Sequence, residues 1–329
     1  MTQTRLVLHL GMPKTGTSLL QNALVDLLRT IPETPLIYPG YGRGQRIAHH
    51  TLAQDIMKAD PADITAIAEG LAADIADARA AHSAAPSVAA CSSEAFTNLC
   101  GHTSAPRLAA FFDAFPYSIA VEGFIVLREL SDFLESMFLQ STRFGHQRPG
   151  FAAYVASRQK WAVALFQGLA FLQERLGDRM SIDAPGRGFD VIPHFAQKVG
   201  LPAGPLQRCA DRVPSTARPS LKEQVAMTHL DQVEAALGFA IRRQNLVKLY
   251  GSGFRFDEDC AQFTLYDDAA LAALEDLMGT VSKTPGYALY AAALGTPRAR
   301  TKPVHSLEFS HLSDADLAAL GQHSDALAA

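Results

Sequence analysis

The chain has 329 residues, of which 48% are hydrophobic and 19% are charged, so it has enough apolar material for a full core. Its 29 basic and 33 acidic side chains leave a formal net charge of −4. That balance argues against a general nucleic-acid binder, which carries a basic excess. The 23 glycines and 18 prolines are close to average usage and exclude collagen-like and low-complexity classes.

Membrane and metal signals are weak in this sequence. Residues 1–11 lack a basic leader followed by a long apolar stretch. The most apolar later segment, 161–172, is shorter than the roughly 20 residues that span a bilayer. The four cysteines form no C-x-x-C pair and have no zinc-finger spacing. We therefore expect a cytoplasmic protein with no integral membrane association, no metal site and free thiols.

The first half of the chain alternates between strand and helix patterns. A buried strand is predicted at 6–10, followed by a loop and by leucines at helical spacing from Leu19 to Leu28. A small extended piece is predicted at 36–38, helices at about 47–57 and 64–80, and strands at 87–91, 117–127 and 180–183. This alternation predicts an α/β fold whose central parallel sheet is flanked by helices.

The second half is predicted to be mainly helical. Ser131 is expected to cap a helix, and one long helix is expected over 151–176. From about residue 206 the strand signal disappears, and 221–249 and 269–277 have helical patterns. We therefore predict an α/β core over 1–205 and a helical C-terminal extension over 206–329, packed on the core within one domain.

The segment 11–18, Gly-Met-Pro-Lys-Thr-Gly-Thr-Ser, lies between the first strand and the first helix. Such a loop offers backbone N–H groups, a helix N-terminus, hydroxyls and an ammonium, which are the components of a phosphate-binding loop. A nucleotide-kinase P-loop needs its lysine directly after the second glycine. Here Gly11 and Gly16 have the required spacing, but Thr17 stands in the lysine position and the lysine is displaced to Lys14.

This displaced pattern resembles the 5′-phosphosulfate loop of bacterial sulfotransferases, which use 3′-phosphoadenosine 5′-phosphosulfate (PAPS) as sulfuryl donor. The resemblance implies a three-layer P-loop-like fold and transfer of a sulfuryl group to a hydroxyl or amine, leaving 3′-phosphoadenosine 5′-phosphate. In that family the loop lysine and the amides after it hold the 5′-phosphate and the sulfate. The positions to which this role carries over are Lys14, Thr15, Gly16, Thr17 and Ser18.

A second motif supports the same resemblance. The family places an arginine after a later strand and a serine eight residues further on, and both hold the 3′-phosphate of the donor. This chain has Arg128 after an apolar run and Ser136 eight residues later. An arginine suits a phosphate because its planar fork donates two charge-assisted hydrogen bonds. Two departures are Leu130, where the family often has proline, and Leu19, where many cytosolic members have an adenine-stacking tryptophan.

Two residues are candidates for the catalytic base. Glu94 follows the strand predicted at 87–91, where carboxylate-using sulfotransferases place a catalytic glutamate. His50 lies between the first helix and the next, where similar bacterial enzymes often carry a histidine. Adjacent helical residues diverge by about 100°, so at most one of His49 and His50 is expected to face the site. His9 is expected to be a strand side chain near the site rather than its base.

Two other functions remain open from the sequence. One is a P-loop phosphotransferase that uses a nucleoside triphosphate, and the other is a non-catalytic nucleotide-binding protein with the same fold. The acceptor of a sulfotransferase is expected to be a small molecule, a glycan or a lipid-like amphiphile. The sequence predicts neither which acceptor is used nor the oligomeric state.

Overall fold

A computed structural model describes residues 3–43, 47–82, 87–144, 150–183, 190–213, 220–256, 259–260, 263–294 and 303–328. The chain divides into two compact units. The first unit comprises Met1–Glu129, Lys160–Ser215 and Thr280–Pro297, and the second comprises Leu130–Gln159, Thr216–Gly279 and Arg298–Ala329. These interleaved segments differ from the linear division at residue 205 because the chain leaves the first unit after Glu129 and returns at Lys160.

A five-stranded, all-parallel sheet lies at the centre of the first unit. Its strands are β1 (Thr4–Gly11), β2 (Leu36–Ile37), β3 (Val88–Ser93), β4 (Ile119–Val126) and β5 (Met180–Asp183). The strand order is β2-β3-β1-β4-β5, so that β1 is central. In register, Leu8 of β1 lies opposite Cys91 on one side and Gly123 on the other. The predicted α/β class with a parallel sheet is confirmed.

Helices connect and follow these strands. They are α1 (Thr17–Thr30), α2 (His50–Lys58), α3 (Pro61–Ala81), α4 (Ala105–Asp113), α5 (Leu130–Arg143), α6 (Phe151–Ser157), α7 (Gln159–Leu176), α8 (Val191–Val199), α9 (Ala203–Ala210), α10 (Leu221–Thr228), α11 (Leu230–Leu237), α12 (Arg243–Gly251), α13 (Asp268–Val281), α14 (Tyr287–Leu294), α15 (Asp314–Gly321) and α16 (Ser324–Ala328). Short 3₁₀ helices cover Glu94–Cys100, Gly177–Arg179 and Phe309–His311. Among these described helices, none is both long enough and apolar enough to cross a bilayer.

Both faces of the sheet are covered by helices. On one face, Val7 and Phe124 belong to a buried cluster with apolar residues of α1, α8 and α9. On the other face, a methyl group at Gly123 would lie 2.9 Å from the ring of Phe112 in α4 and 3.2 Å from Leu10. A parallel sheet has no solvated face, which explains why its strands are nearly continuous apolar runs in the sequence.

The second unit has its own apolar contacts. The rings of Phe138, Phe151 and Tyr154 pack within 6.4 Å of one another, and Phe151 also meets Tyr266 edge to face at 4.8 Å. A buried carboxylate oxygen of Glu135 accepts the backbone N–H of Leu265 at 2.7 Å. These contacts join α5 and α6 to segments more than 100 residues later.

Several predicted helix boundaries were wrong. Ser131 is not an N-cap, because α5 already begins at Leu130. The helix expected over 151–176 is interrupted at Arg158, where α6 ends. The helix expected over 221–249 is three helices, separated near His229 and at Gly238, whose φ of +77° is left-handed. The breaks at Arg158 and His229 are single residues, which leave the apolar spacing almost unchanged, and the break before α12 covers residues 238–242.

Candidate functional site

Three neighbouring strands end together at one edge of the sheet. Leu10 pairs with Ser93 of β3, and Gly11 pairs with Val126 of β4. The segments that follow these strands therefore start side by side. After β1 the chain forms β2 and β3 on one side of β1, and only then crosses to form β4 on the other side. The strand order therefore reverses at β1, and ligands of open α/β sheets bind in the crevice at such a reversal.

The first part of the β1–α1 loop is tightly fixed. A Cβ at Gly11 would lie 2.2 Å from Oγ1 of Thr17, so only glycine fits there without a shift. The N–H of Met12 donates to the carbonyl of Val126 at 3.1 Å. The hydroxyl of Thr97 donates to the carbonyl of Gly11 at 2.8 Å. The loop therefore leaves the sheet in one defined direction.

The loop turns through two residues in the left-handed region. Lys14 has φ +71° and Gly16 has φ +84°, with Thr15 between them. Such alternation makes successive N–H groups converge on a concavity that can hold an anion. A left-handed conformation costs a non-glycine residue about 1–2 kcal/mol. At Gly16 a Cβ would also approach Cγ1 of Val191 to 2.9 Å, which explains the glycine.

The N-terminus of α1 is open toward this loop. Gly16 is the N-cap and has no side chain that could accept a hydrogen bond. Within the described residues, the N–H groups of Gly16, Thr17, Ser18 and Leu19 donate to no acceptor. Together with the helix dipole they form the positive end to which an anion is attracted. The hydroxyl of Thr15 instead closes the turn by donating to the carbonyl of Met12 at 2.7 Å.

Glu94 lies beside the loop. It is the first residue of the 3₁₀ helix that follows β3, and it is half-buried. The hydroxyl of Ser18 donates to Oε1 of Glu94 at 3.3 Å. The carboxylate and the open helix N-terminus are thus brought together by residues 76 positions apart.

One side chain connects His50 to the segment that carries Glu94. It is the first residue of α2, and its Nδ1 is 2.7 Å from Oγ of Ser93. Oγ of Ser93 also accepts the N–H of Ala95 at 3.0 Å. Ser93 therefore links the His50 ring to the segment that presents Glu94. Ser93 was not among the residues predicted from the sequence, although its hydroxyl directly precedes the candidate base Glu94 in the chain.

Arg128 reaches the loop from the other side of β1. It lies two residues beyond β4, and its guanidinium donates to the carbonyl of Lys14 at 3.2 Å. Its own carbonyl accepts the phenol of Tyr290 at 3.3 Å. Five predicted loop residues, Glu94, His50 and Arg128 thus converge on the edge of one sheet. Ser136 lies on α5 in the second unit, so its predicted pairing with Arg128 stays a prediction.

A buried histidine lies below the loop. Nδ1 of His9 is 2.8 Å from Oγ of Ser92, which also accepts the amide of Gln21 at 3.3 Å. The His9 ring stacks on Phe124 with its centroid 4.8 Å away. Burial is the main cause that lowers the pKa of His9 to about 3, and electrostatic repulsion from His194 is the smaller cause. With a pKa this low, the His9 ring stays neutral and is a weak base near neutral pH.

His49 and His50 have different environments. The N–H of Ser92 donates to Nδ1 of His49 at 3.2 Å, and Nε2 of His49 donates to the carbonyl of Pro39 at 3.0 Å. Burial lowers the pKa of His49 to about 4. Both ring nitrogens of His49 are used within the fold, whereas His50 is only half-buried at the sheet edge.

Comparisons with models of protein families, with curated proteins and with solved structures gave no match. Among the described residues, no group of three or more His, Cys, Asp and Glu side chains has the arrangement that would hold a metal ion. The site is therefore characterised by its own geometry: a left-handed loop, an open helix N-terminus, two cationic side chains and one carboxylate.

Proposed function

We propose that this protein is a sulfotransferase that moves a sulfuryl group from PAPS to a hydroxyl or amine. The observation that carries the proposal is the conformation of the loop at residues 11–18. Its open N–H groups, Lys14 and the hydroxyls suit the paired anionic groups of a phosphosulfate. The resemblance of this loop to the sulfotransferase pattern supplies the identity of the donor.

Each side chain at the sheet edge has a role in this proposal. The N–H groups of Gly16, Thr17 and Ser18 bind the 5′-phosphate and sulfate, with Lys14 adding a positive charge. Arg128 reaches this region from β4 and binds the 3′-phosphate. The hydrogen bond from Arg128 to the backbone carbonyl of Lys14 holds the Arg128 guanidinium beside the loop.

The reaction is an in-line transfer. The acceptor oxygen or nitrogen loses its proton to Glu94 or to His50 and attacks the sulfur atom. The bond between sulfur and the bridging oxygen breaks, and its electron pair stays on the 5′-phosphate of the product. Lys14 and the loop amides stabilise the negative charge that develops on that oxygen. Positioning and electrostatic stabilisation supply most of the rate in such a transfer.

The observed contacts favour a division of labour between the two candidate bases. Glu94 already accepts a hydrogen bond from Ser18, so its carboxylate faces the N-terminus of α1. His50 contacts Ser93 through Nδ1, so its Nε2 is the ring nitrogen left to act. We propose Glu94 as the base for the acceptor and His50 as a group that orients the acceptor.

The test measures sulfate transfer from radiolabelled PAPS to a panel of alcohols, amines, glycans and amphiphiles, with mass spectrometry identifying the product. We expect transfer to at least one class, and at least roughly 10²-fold slower turnover in Lys14→Ala, by analogy with losing one preorganised donor. Lys58→Ala, on the far end of α2, is the matched control. Normal turnover in Lys14→Ala would reject the role of the loop.

Calorimetric titration separates the proposed donor from a nucleoside triphosphate. We expect the 3′,5′-bisphosphate product to bind, and ATP with magnesium to bind more weakly. Tighter binding of magnesium ATP, together with phosphate transfer, would identify a phosphotransferase instead. Tight binding of the bisphosphate without transfer to any acceptor would identify a non-catalytic nucleotide-binding protein.

A further inference from the structure

A second concave surface lies in the second unit, between the end of α5 and the start of α12. It is a cavity of about 510 Å³. Its lining comprises Arg143, Phe144, Arg242, Arg243, Gln244 and Val247. This volume lies within the range of small-molecule sites, about 300–1,000 Å³.

The arginines differ in how they are held. Within the described residues, Arg143 and Arg242 form no ion pair. The guanidinium of Arg243 donates to the carbonyls of Thr142 and Met227, and it thereby joins the ends of α5 and α10. The Arg243 side chain is therefore held in place by the protein itself, whereas the guanidinium groups of Arg143 and Arg242 can bind a ligand.

Two carboxylates near these arginines oppose the binding of an anion. Glu223 interacts electrostatically with Arg143, and Glu234 with Arg243. Both carboxylates have other partners. Glu223 accepts the N–H of Ser220 and lies 3.4 Å from Arg255, and Glu234 accepts the N–H of Ile241 at 2.7 Å. The positive charge of the cavity is thus reduced but not cancelled.

The backbone adds to this positive charge. Arg242 is the N-cap of α12, and no side chain caps that helix. The first-turn N–H groups of Arg243 and Gln244 donate to no acceptor among the described residues. A helix N-terminus favours a negative group, and guanidinium forks bind carboxylate or phosphate oxygens in pairs. Both features therefore favour a negative group, and Arg143 adds a guanidinium from a different helix, α5.

The apolar part of the lining indicates the rest of the ligand. The side chain of Phe144 is 60% exposed, which is high for a phenylalanine. Val247 lies one turn along α12 from the arginines. An exposed aromatic ring beside cationic groups suits a molecule with an anionic head and an apolar body.

We propose that this cavity binds an anionic amphiphile, with a carboxylate or phosphate head between Arg143 and Arg242 and an apolar body against Phe144 and Val247. This assignment does not depend on sulfuryl transfer, because all of its residues belong to the second unit. Carboxylate and phosphate are both compact oxyanions that guanidinium groups bind, and the test below distinguishes between them.

The test is calorimetric titration of the full chain with decanoate, decyl phosphate and decyltrimethylammonium, each below its micellar range. We expect one saturable site for an anionic probe and none for the cation. Arg242→Gln and Arg143→Gln should each weaken binding roughly ten- to hundredfold, the loss that follows from one charged hydrogen bond. The tighter of the two anions identifies the head group that the cavity prefers.

Lys248→Gln is the matched control, because it removes one exposed positive charge from the same helix without lining the cavity. The Lys248→Gln protein should bind the anionic probe with the same affinity as the parent chain. Phe144→Ser should weaken decanoate while leaving circular dichroism unchanged. Three results would each overturn the proposal. They are binding of the cationic probe as tight as that of the anions, a loss of anion affinity in Lys248→Gln equal to that in the arginine variants, and unchanged anion affinity in a folded Arg242→Gln protein.

Discussion

The two proposed anion sites differ in the groups that would bind the anion. At the sheet edge of the first unit, the positive groups are mainly backbone N–H groups of a loop whose conformation is fixed by glycine and by a central strand. In the cavity of the second unit, they are mainly arginine side chains at the ends of two helices. A rigid backbone site selects the shape of its anion, whereas a side-chain site adapts to its ligand.

The largest expected effect concerns pH, because the buried histidine His9 lies next to the loop, whereas no histidine lines the cavity. An unfolded histidine has a pKa near 6.5, and His9 has a folded pKa of about 3. Between these pH values the unfolded chain binds a proton that the folded chain does not. Stability therefore falls as the pH falls through this window, by about 1.4 kcal/mol per pH unit for each such histidine.

Urea unfolding at pH 7, 6, 5 and 4 checks this expectation. By pH 4, His9 alone should have cost about 3 kcal/mol of the free energy of unfolding. The His9→Gln variant should lose stability less steeply on acidification. His102→Gln, at an exposed position, should behave as the parent chain does. Identical slopes for the parent and His9→Gln would show that His9 is not a buried neutral group.

A crossed pair of variants gives the next largest effect. Arg128→Ala should weaken binding of the 3′,5′-bisphosphate by roughly 1.5–3 kcal/mol, because a charged hydrogen bond is lost. The same variant should bind decanoate normally. Arg242→Gln should show the reverse pattern. Both ligands are measured by calorimetry on all three proteins, and losses for both ligands in either variant would mean that the two regions are not separate sites.

The smallest expected effect concerns the stability of the second unit. Ser220 and Glu223 form a capping box at the start of α10, whose last turn contains the carbonyl that anchors Arg243. Ser220→Ala should lower the free energy of unfolding by about 1 kcal/mol. Denaturant melts measure this loss, with Ser252→Ala at an exposed helix end as the control. Affinity for the bisphosphate should not change, and a weaker affinity would contradict the independence of the loop.

The sheet was predictable because its strands are short apolar runs bounded by turn residues. The run predicted at 6–10 became β1, and the strand predicted at 180–183 matches β5 residue for residue. Helices α4, α8 and α9 were not predicted, and α8 and α9 are each fewer than ten residues long. Short helices owe their stability to tertiary packing rather than to their own periodicity.

The candidate site was predictable to the extent that its residues are contiguous. Lys14, Gly16 and Thr17 lie within four positions, so their spacing carried information. The contact of Glu94 with Ser18 depends on the pairing of β1 with β3, and that of Arg128 with Lys14 on the course of β4 beside β1. Thr97, which fixes the carbonyl of Gly11, had no local signal at all.

The sequence by itself determined the α/β class, the strand–loop–helix start and the residues of the loop at 11–18, the proposed anion site. These features are local, because apolar spacing and glycine positions are set by neighbouring residues. Only the tertiary structure decided that the chain forms two interleaved units, that His49 is buried while His50 lies at the edge, and that Arg143 and Arg242 share a cavity. Those features depend on contacts between residues that lie far apart in the chain, and such contacts leave no local pattern in the sequence.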